Sequence, residues 1–132
     1  YIGRTVTMKK NLDQNKPIYI QVREKIEDMI LRDQLKENEQ TPSTTQLVNF
    51  YKINHITVLK GMNQLVDEGI LFKKRGIGMF VAEGAKEKLI QKRKQTFIED
   101  YIVRLVQEAD KLGITEEEII TFIKNVRGSE KK

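Results

Sequence analysis

Residues 43–81, STTQLVNFYKINHITVLKGMNQLVDEGILFKKRGIGMFV, constrain this chain more than any other stretch. Ser43 is a good N-cap, and Gln46 stands three residues on, where its amide can return a hydrogen bond to the N–H of the cap. A helix opening there would bury Leu47, Val48 and either Phe50 or Tyr51, and its pattern breaks over residues 52–54. Asn54 can cap a following helix, whose apolar residues Val58, Met62, Leu65 and Val66 keep helical spacing and stop at Asp67-Glu68, with Gly69 just past the C-cap. Ile70-Leu71-Phe72 and Met79-Phe80-Val81 are rich in strand formers. Between them, Lys73-Lys74-Arg75-Gly76-Ile77-Gly78 carries two glycines able to take positive φ in a tight loop. The expectation is two short helices with a tight turn between them, then a β-hairpin with a basic tip.

A helix pair of this form can lay its second helix in a DNA major groove while the hairpin holds the backbone beside it. The buried set leaves His55, Ile56, Thr57, Lys60 and Asn63 or Gln64 on the outer side, and the N-terminal turn is the part that would enter the groove. Candidates there are Asn54, His55, Ile56 and Thr57, with Lys60 one turn on; base reading favours short polar side chains such as Asn54, His55 and Thr57. Ser43, Thr44 and Thr45 place hydroxyls and unpaired N–H groups at the first helix's N-terminus, which favours a phosphate oxygen. Lys73, Lys74 and Arg75, on a tip shaped by Gly76 and Gly78, complete the candidate DNA-binding set. Each has a plainer explanation: Ser43 as a cap only, residues 73–75 as a solvated tip, the glycines as turn-makers.

Upstream, residues 1–15 lack apolar periodicity and read as a flexible lead-in. Met8-Lys9-Lys10-Asn11 is where a native start fits, with residues 1–7 ahead of it. Pro17 suits the first turn of a helix, and Ile18, Val22, Ile26, Met29 and Ile30 share one face of it, so a bracing helix should reach about Gln34. Residues 36–40 contain no apolar side chain and read as a loop.

Downstream, one long helix is expected from about Ala85 to Leu112, with Gly113 as its stop. Its first part is a charged spacer. Its second carries Phe97, Ile98, Tyr101, Ile102, Leu105, Val106, Ala109 and Leu112 in steps of three and four. Thr115 and Glu118 form a capping box for a final helix with Ile119, Ile120, Phe122, Ile123 and Val126. Two helices cannot bury such stripes by themselves, so residues 97–112 with Ile119, Phe122 and Ile123 are the candidate dimerisation surface for a second copy. Folding of the stripe back onto its own chain is the competing explanation.

Length and charge narrow the classes. At 132 residues there is room for one modest domain and an appendage. The formal charge is +5, and residues 1–82 hold 13 Lys and Arg against 9 Asp and Glu, whereas residues 83–132 hold 11 against 10. The basic excess therefore sits with the candidate reading head, as in a module that binds a polyanion. With no cysteine and one histidine there is no thiolate nucleophile and no metal cluster, and a reducing cytoplasm is the expected location. No apolar run approaches bilayer-spanning length and no signal peptide core stands at the N-terminus, so no membrane role is assigned. No base, nucleophile or phosphate-cradling glycine motif is paired for catalysis. An enzyme is excluded, and no cofactor is assigned.

In combination, Thr41-Pro42-Ser43 through Leu47, the Thr57-Val58 pair, the Leu65…Glu68-Gly69 helix end and Arg75-Gly76-x-Gly78-x-Phe80-Val81 resemble the winged helix-turn-helix of the GntR family of bacterial transcription regulators, over about residues 16–82. The short two-helix extension resembles the YtrA-like subfamily, whose members are dimers often linked to transporter operons. The chain has Thr45 where the family usually has an arginine and Thr41 where it has leucine. His55-Ile56 opens the reading helix, and Ile77 and Met79 replace frequent lysine and threonine in the wing.

The expected fold class is mostly α with a small β-hairpin, a winged helix-turn-helix over residues 16–83 followed by a two-helix C-terminal dimerisation element over residues 84–128 and a frayed tail over 129–132. The expected function is a sequence-specific DNA-binding transcriptional regulator, a repressor, acting as a homodimer on a pseudo-palindromic operator. Its partners are double-stranded DNA and itself. A small-molecule effector finds little room in two helices and would sit between subunits or where head meets spacer. The rival reading is a winged-helix protein-interaction module without strong specific DNA binding.

Overall fold

A computed structural model describes residues 15–130. The expected lead-in falls almost wholly outside them.

Helix α1 (Ile18–Leu31) starts after Pro17, whose extended backbone (φ −55°, ψ 143°) makes it the residue before the first turn. Val22, Ile26 and Ile30 are buried on one face as their spacing requires. The helix ends three residues short of the expected Gln34. Asp33 turns left-handed at φ 62°, and the N–H groups of Gln34 and Leu35 both return to the Met29 carbonyl. This hook tucks Leu35 into the core.

The next two helices begin as expected. At α2 (Thr44–Tyr51), the Ser43 hydroxyl accepts the Gln46 N–H at 3.0 Å, and the Gln46 side chain accepts the Ser43 N–H at 2.8 Å. At α3 (His55–Asp67), Asn54 Oδ1 accepts the Thr57 N–H at 2.7 Å. Leu47 is the fully buried residue of α2, with Val48 and Tyr51 packed against the core and Phe50 exposed. Val58, Met62 and Leu65 are buried in α3, which Gly69 follows at φ 78°. Gly61 lets α3 approach α1 closely: a Cβ there would lie 2.5 Å from the Tyr19 carbonyl oxygen.

A guanidinium binds the same two helices. Arg23 Nη2 donates to Glu27 Oε2 at 3.1 Å and to Glu68 Oε1 at 2.6 Å, while Nη1 donates to Gln64 Oε1 at 2.7 Å. Burial opposes the charge on Arg23, but the hydrogen bonds to Glu68 and Glu27 and their negative charges outweigh it and hold its pKa above the ordinary value.

Strands β1 (Leu71–Lys74) and β2 (Gly78–Val81) pair antiparallel in the register Leu71 with Val81, Phe72 with Phe80, Lys73 with Met79 and Lys74 with Gly78. The loop is shorter than the sequence suggests, because Lys73, Lys74 and Gly78 belong to the strands and only residues 75–77 turn, closed by Ile77 N–H to the Lys74 carbonyl. Residues 38–40, expected as plain loop, run with Thr41 along the other edge of β2. Asn38 N–H bonds to Val81 O, Val81 N–H to Glu39 O and Thr41 N–H to Met79 O, with Gln40 bridging Phe80.

Helix α4 (Ala85–Phe97) begins inside the same core. Ala85 and Leu89 are wholly buried in it. Burying a leucine side chain is worth about 2 kcal/mol, which fixes these two turns to the winged unit despite their charged neighbours. The described residues through Ile90 accordingly form one unit, and those from Gln91 form a second. The boundary expected at residue 83 lies two turns further on, and through Ala85 and Leu89 the start of α4 belongs to the head rather than to a spacer.

In the second unit the expected single helix is interrupted. After Phe97 the chain takes a π-helical segment, Ile98–Ile102, before α5 (Val103–Leu112). Gly113 ends α5 at φ 69°, and the Thr115–Glu118 capping box opens α6 (Glu116–Glu130), with Glu118 N–H donating to Thr115 Oγ1 at 3.2 Å and Thr115 N–H to Glu118 Oε1 at 2.9 Å. The helix includes Ser129, so the tail expected to fray from that residue stays helical through the last described position.

Candidate nucleic-acid interface

The edge pairing of residues 38–41 with β2 brings the N-terminus of α2 against the wing. A cleft of about 350 Å³ opens between them, lined by Ser43 and Thr44 on one side and by Lys73, Lys74, Arg75, Gly76 and Gly78 on the other, with Met62 of α3 also on its wall. Seven of the thirteen residues singled out from sequence therefore meet in one place. Thr45 is exposed on α2 outside the cleft, and Asn54, His55, Ile56, Thr57 and Lys60 occupy the first turns of α3, also outside it.

The cleft suits an anion. The Thr44 and Thr45 N–H groups lie in the first turn of α2, where no intrahelical acceptor exists, and they point out with the positive end of the helix dipole. Ser43's oxygen and N–H are both occupied by the capping box, which leaves its O–H proton to donate. Cations on the wing supply charge from across the cleft.

Strand alternation separates the two wing lysines. Lys73 shares a face with Leu71 and Val81, whose side chains enter the core, whereas Lys74 shares the outer face with Phe72 and Phe80. Those rings stack with centroids 5.8 Å apart, and Lys74 Nζ lies 4.5 Å from the Phe80 centroid. The Lys74 charge is thus drawn onto an aromatic pair. Lys60 has a similar partner, its Nζ lying 4.0 Å from the centre of the Tyr19 ring of α1.

Two contributors escaped sequence reasoning. Gln40 Nε2 donates to the Ile77 carbonyl at 3.0 Å, bracing the wing tip from the segment that leads into α2. Gly78 permits this, since a Cβ there would lie 2.6 Å from the same nitrogen. Tyr19 is the other, and only its place in the Pro17-Ile18-Tyr19 opening of α1 marks it in the sequence.

The candidate dimerisation residues lie in the second unit. Phe97, Ile98, Tyr101, Ile102, Leu105, Val106, Leu112, Phe122 and Ile123 are exposed, Ile119 is half-buried, and Ala109 is buried. Helices α5 and α6 line a groove of about 600 Å³ with Leu105, Ala109, Ile114, Ile119, Phe122, Ile123 and Val126 along its walls. That is more room than two helices were expected to leave. Among the described residues no cluster of side chains could hold a metal ion, and no helix is long and apolar enough to cross a membrane.

Comparison with known proteins gives a consistent result. The sequence pattern of the bacterial regulatory proteins, gntR family, matches residues 18–81. The HTH-type transcriptional repressor YtrA of Bacillus subtilis (strain 168) is 30% identical over 110 residues, 83% of this chain and 84% of YtrA. A putative transcriptional regulator of the GntR family from Bacteroides thetaiotaomicron superimposes with a TM-score of 0.68 at 32% identity, over 86% of this chain and 98% of the other. AraR(DBD) in complex with operator ORX1 matches 58% of this chain and 93% of its own, with a TM-score of 0.50 and 27% identity. With a repressor of similar length aligned along most of both chains and a solved family member sharing the fold over most of this one, this chain belongs to the GntR family of bacterial regulatory proteins.

Proposed function

We propose that this protein is a cytoplasmic, sequence-specific transcriptional repressor that binds double-stranded DNA as a homodimer on a pseudo-palindromic operator. The observation that carries the reading is the cleft between the N-terminus of α2, with Ser43 and Thr44, and the basic wing, in the same unit as α3. A phosphate in that cleft would fix the head on the duplex while the first turn of α3 enters the major groove. Ser43, Thr44, Thr45, Lys73 and Arg75 take backbone contacts, with Gly76 and Gly78 shaping the tip, and Asn54, His55, Ile56 and Thr57 face base edges. YtrA is named a repressor, and AraR(DBD) was solved on an operator; both support the assignment.

Dimerisation rests on the second unit. Twelve large apolar side chains from Phe97 to Val126 are exposed there, more than a soluble monomer usually presents in one region. A second copy laid along α5 and α6 would cover them and place two heads on half-sites about one helical turn or more apart.

Selection of duplexes from a random-sequence pool by the full chain, followed by sedimentation of the free and bound protein, tests both parts. The expected result is an enriched inverted repeat bound by two chains. Equal binding to all duplexes at matched salt, or a strictly monomeric protein, would overturn the reading.

A further inference from the structure

The first turn of α3 leaves few side chains free to meet a base. Asn54 Oδ1 is occupied by the Thr57 N–H, which leaves Asn54 only its Nδ2 to donate, Thr57 itself is half-buried and offers only its hydroxyl, and Lys60 is held over Tyr19. His55 and Ile56 remain outward. Ile56 is 78% exposed, more than any other large apolar side chain among the described residues. A branched aliphatic group cannot take the hydrogen bonds that most base edges offer. The major groove presents one apolar feature, the C5-methyl of thymine, and the minor groove presents none.

We propose that Ile56 is a specificity-determining residue that packs against a thymine C5-methyl, so that one position in each half-site favours thymine. This rests on the DNA-binding reading above and adds what that site selects. Ile77, 62% exposed at the wing tip, is a weaker candidate because a hairpin tip lies along backbone or minor groove, away from that methyl. Removing apolar area the size of one methylene is worth roughly fourfold in affinity, enough to favour thymine at one position without dominating binding.

The test uses the full chain and the duplex it enriches from a random-sequence pool, with thymines replaced one at a time by deoxyuridine, which lacks only the methyl. Wild type and Ile56→Val are expected to lose roughly threefold to tenfold at one thymine per half-site. Ile56→Ser should bind the parent duplex more weakly by a similar factor and lose nothing further at that position. Because Ile56 stands in water, these substitutions leave the core untouched. If every uridine duplex binds wild type like its parent, or if Ile56→Ser keeps the same uridine sensitivity, the inference fails while the proposed function stands. A pool that yields no preferred duplex overturns both.

Discussion

Arg23 and Glu68, 45 residues apart in sequence, form a 2.6 Å ion pair that joins the middle of α1 to the C-cap of α3. The same guanidinium neutralises Glu27, whose side chain is almost wholly buried. Arg23→Ala would take the guanidinium away from that buried carboxylate and from Glu68, and the expected loss is about 2–4 kcal/mol, read from the urea midpoint. Replacing Arg23 and Glu27 together with methionine and leucine should recover most of it. A loss below about 1 kcal/mol in the single variant would show that the pair does not brace the head.

Gly61→Ala sets two effects against each other. Alanine in a helix interior is favoured over glycine by about 1 kcal/mol, but the new Cβ would stand 2.5 Å from a backbone oxygen of α1. Backbone cannot rotate away as a side chain can, so overpacking should win with a net loss of about 1–2 kcal/mol. A thermal unfolding midpoint at or above wild type would contradict this.

Gln40→Ala removes the brace on the wing tip while leaving the backbone pairing of residues 38–41 in place. Because the bond is exposed, stability should hardly change. Affinity for the selected duplex should fall roughly threefold to tenfold, the effect of one hydrogen bond acting through tip position. Parallel melting and binding curves separate the two outcomes.

Lys73 and Lys74 are neighbours in sequence with opposite expected behaviour. Lys73→Ala should flatten the dependence of binding on salt by about one phosphate contact, and Arg75→Ala likewise. Lys74→Ala should change that slope less, since its ammonium lies over Phe80. Equal slopes for the two lysine variants would mean that Lys74 leaves the ring on binding.

Tyr51 gives a pH signature. Burial, and then the charge of Asp28, raise its phenol above the ordinary 10.0. The folded state therefore holds the proton more tightly than the unfolded chain. This contribution to stability is fully present below pH 10 and is lost as pH rises through the folded value. Tyr51→Phe should flatten the alkaline fall in urea midpoint measured on either side of pH 10.

What could be read from sequence was what local rules decide. Ser43 with Gln46, Asn54, Gly69 and Thr115 with Glu118 each sit where a cap needs them, and the apolar steps of α1 and α3 point to their buried faces. The edge pairing of residues 38–41 was hidden because its bonds are long-range and its residues show no alternation of polarity. Ala85 and Leu89 were obscured by the lysines and glutamate around them. Arg23 and Glu27 stand at a recognisable spacing of four, but the third partner comes from another helix. The candidate residues could be assigned to helix or hairpin in advance, whereas the sorting of Lys73 and Lys74 to opposite faces appeared only once the hairpin register was known.

The π-helical segment Ile98–Ile102 acts as a phase shifter within the second unit. A π turn takes up about one residue more than an α turn, and one residue in an α-helix corresponds to about 100° of rotation. Leu105, Val106, Ala109 and Leu112 are therefore offset around the helix axis from the bearing that continuous α-winding after Phe97 would give them. Deleting a single residue from the segment would re-clock α5 by about a quarter turn relative to the residues that precede Phe97, turning its apolar face without altering its composition.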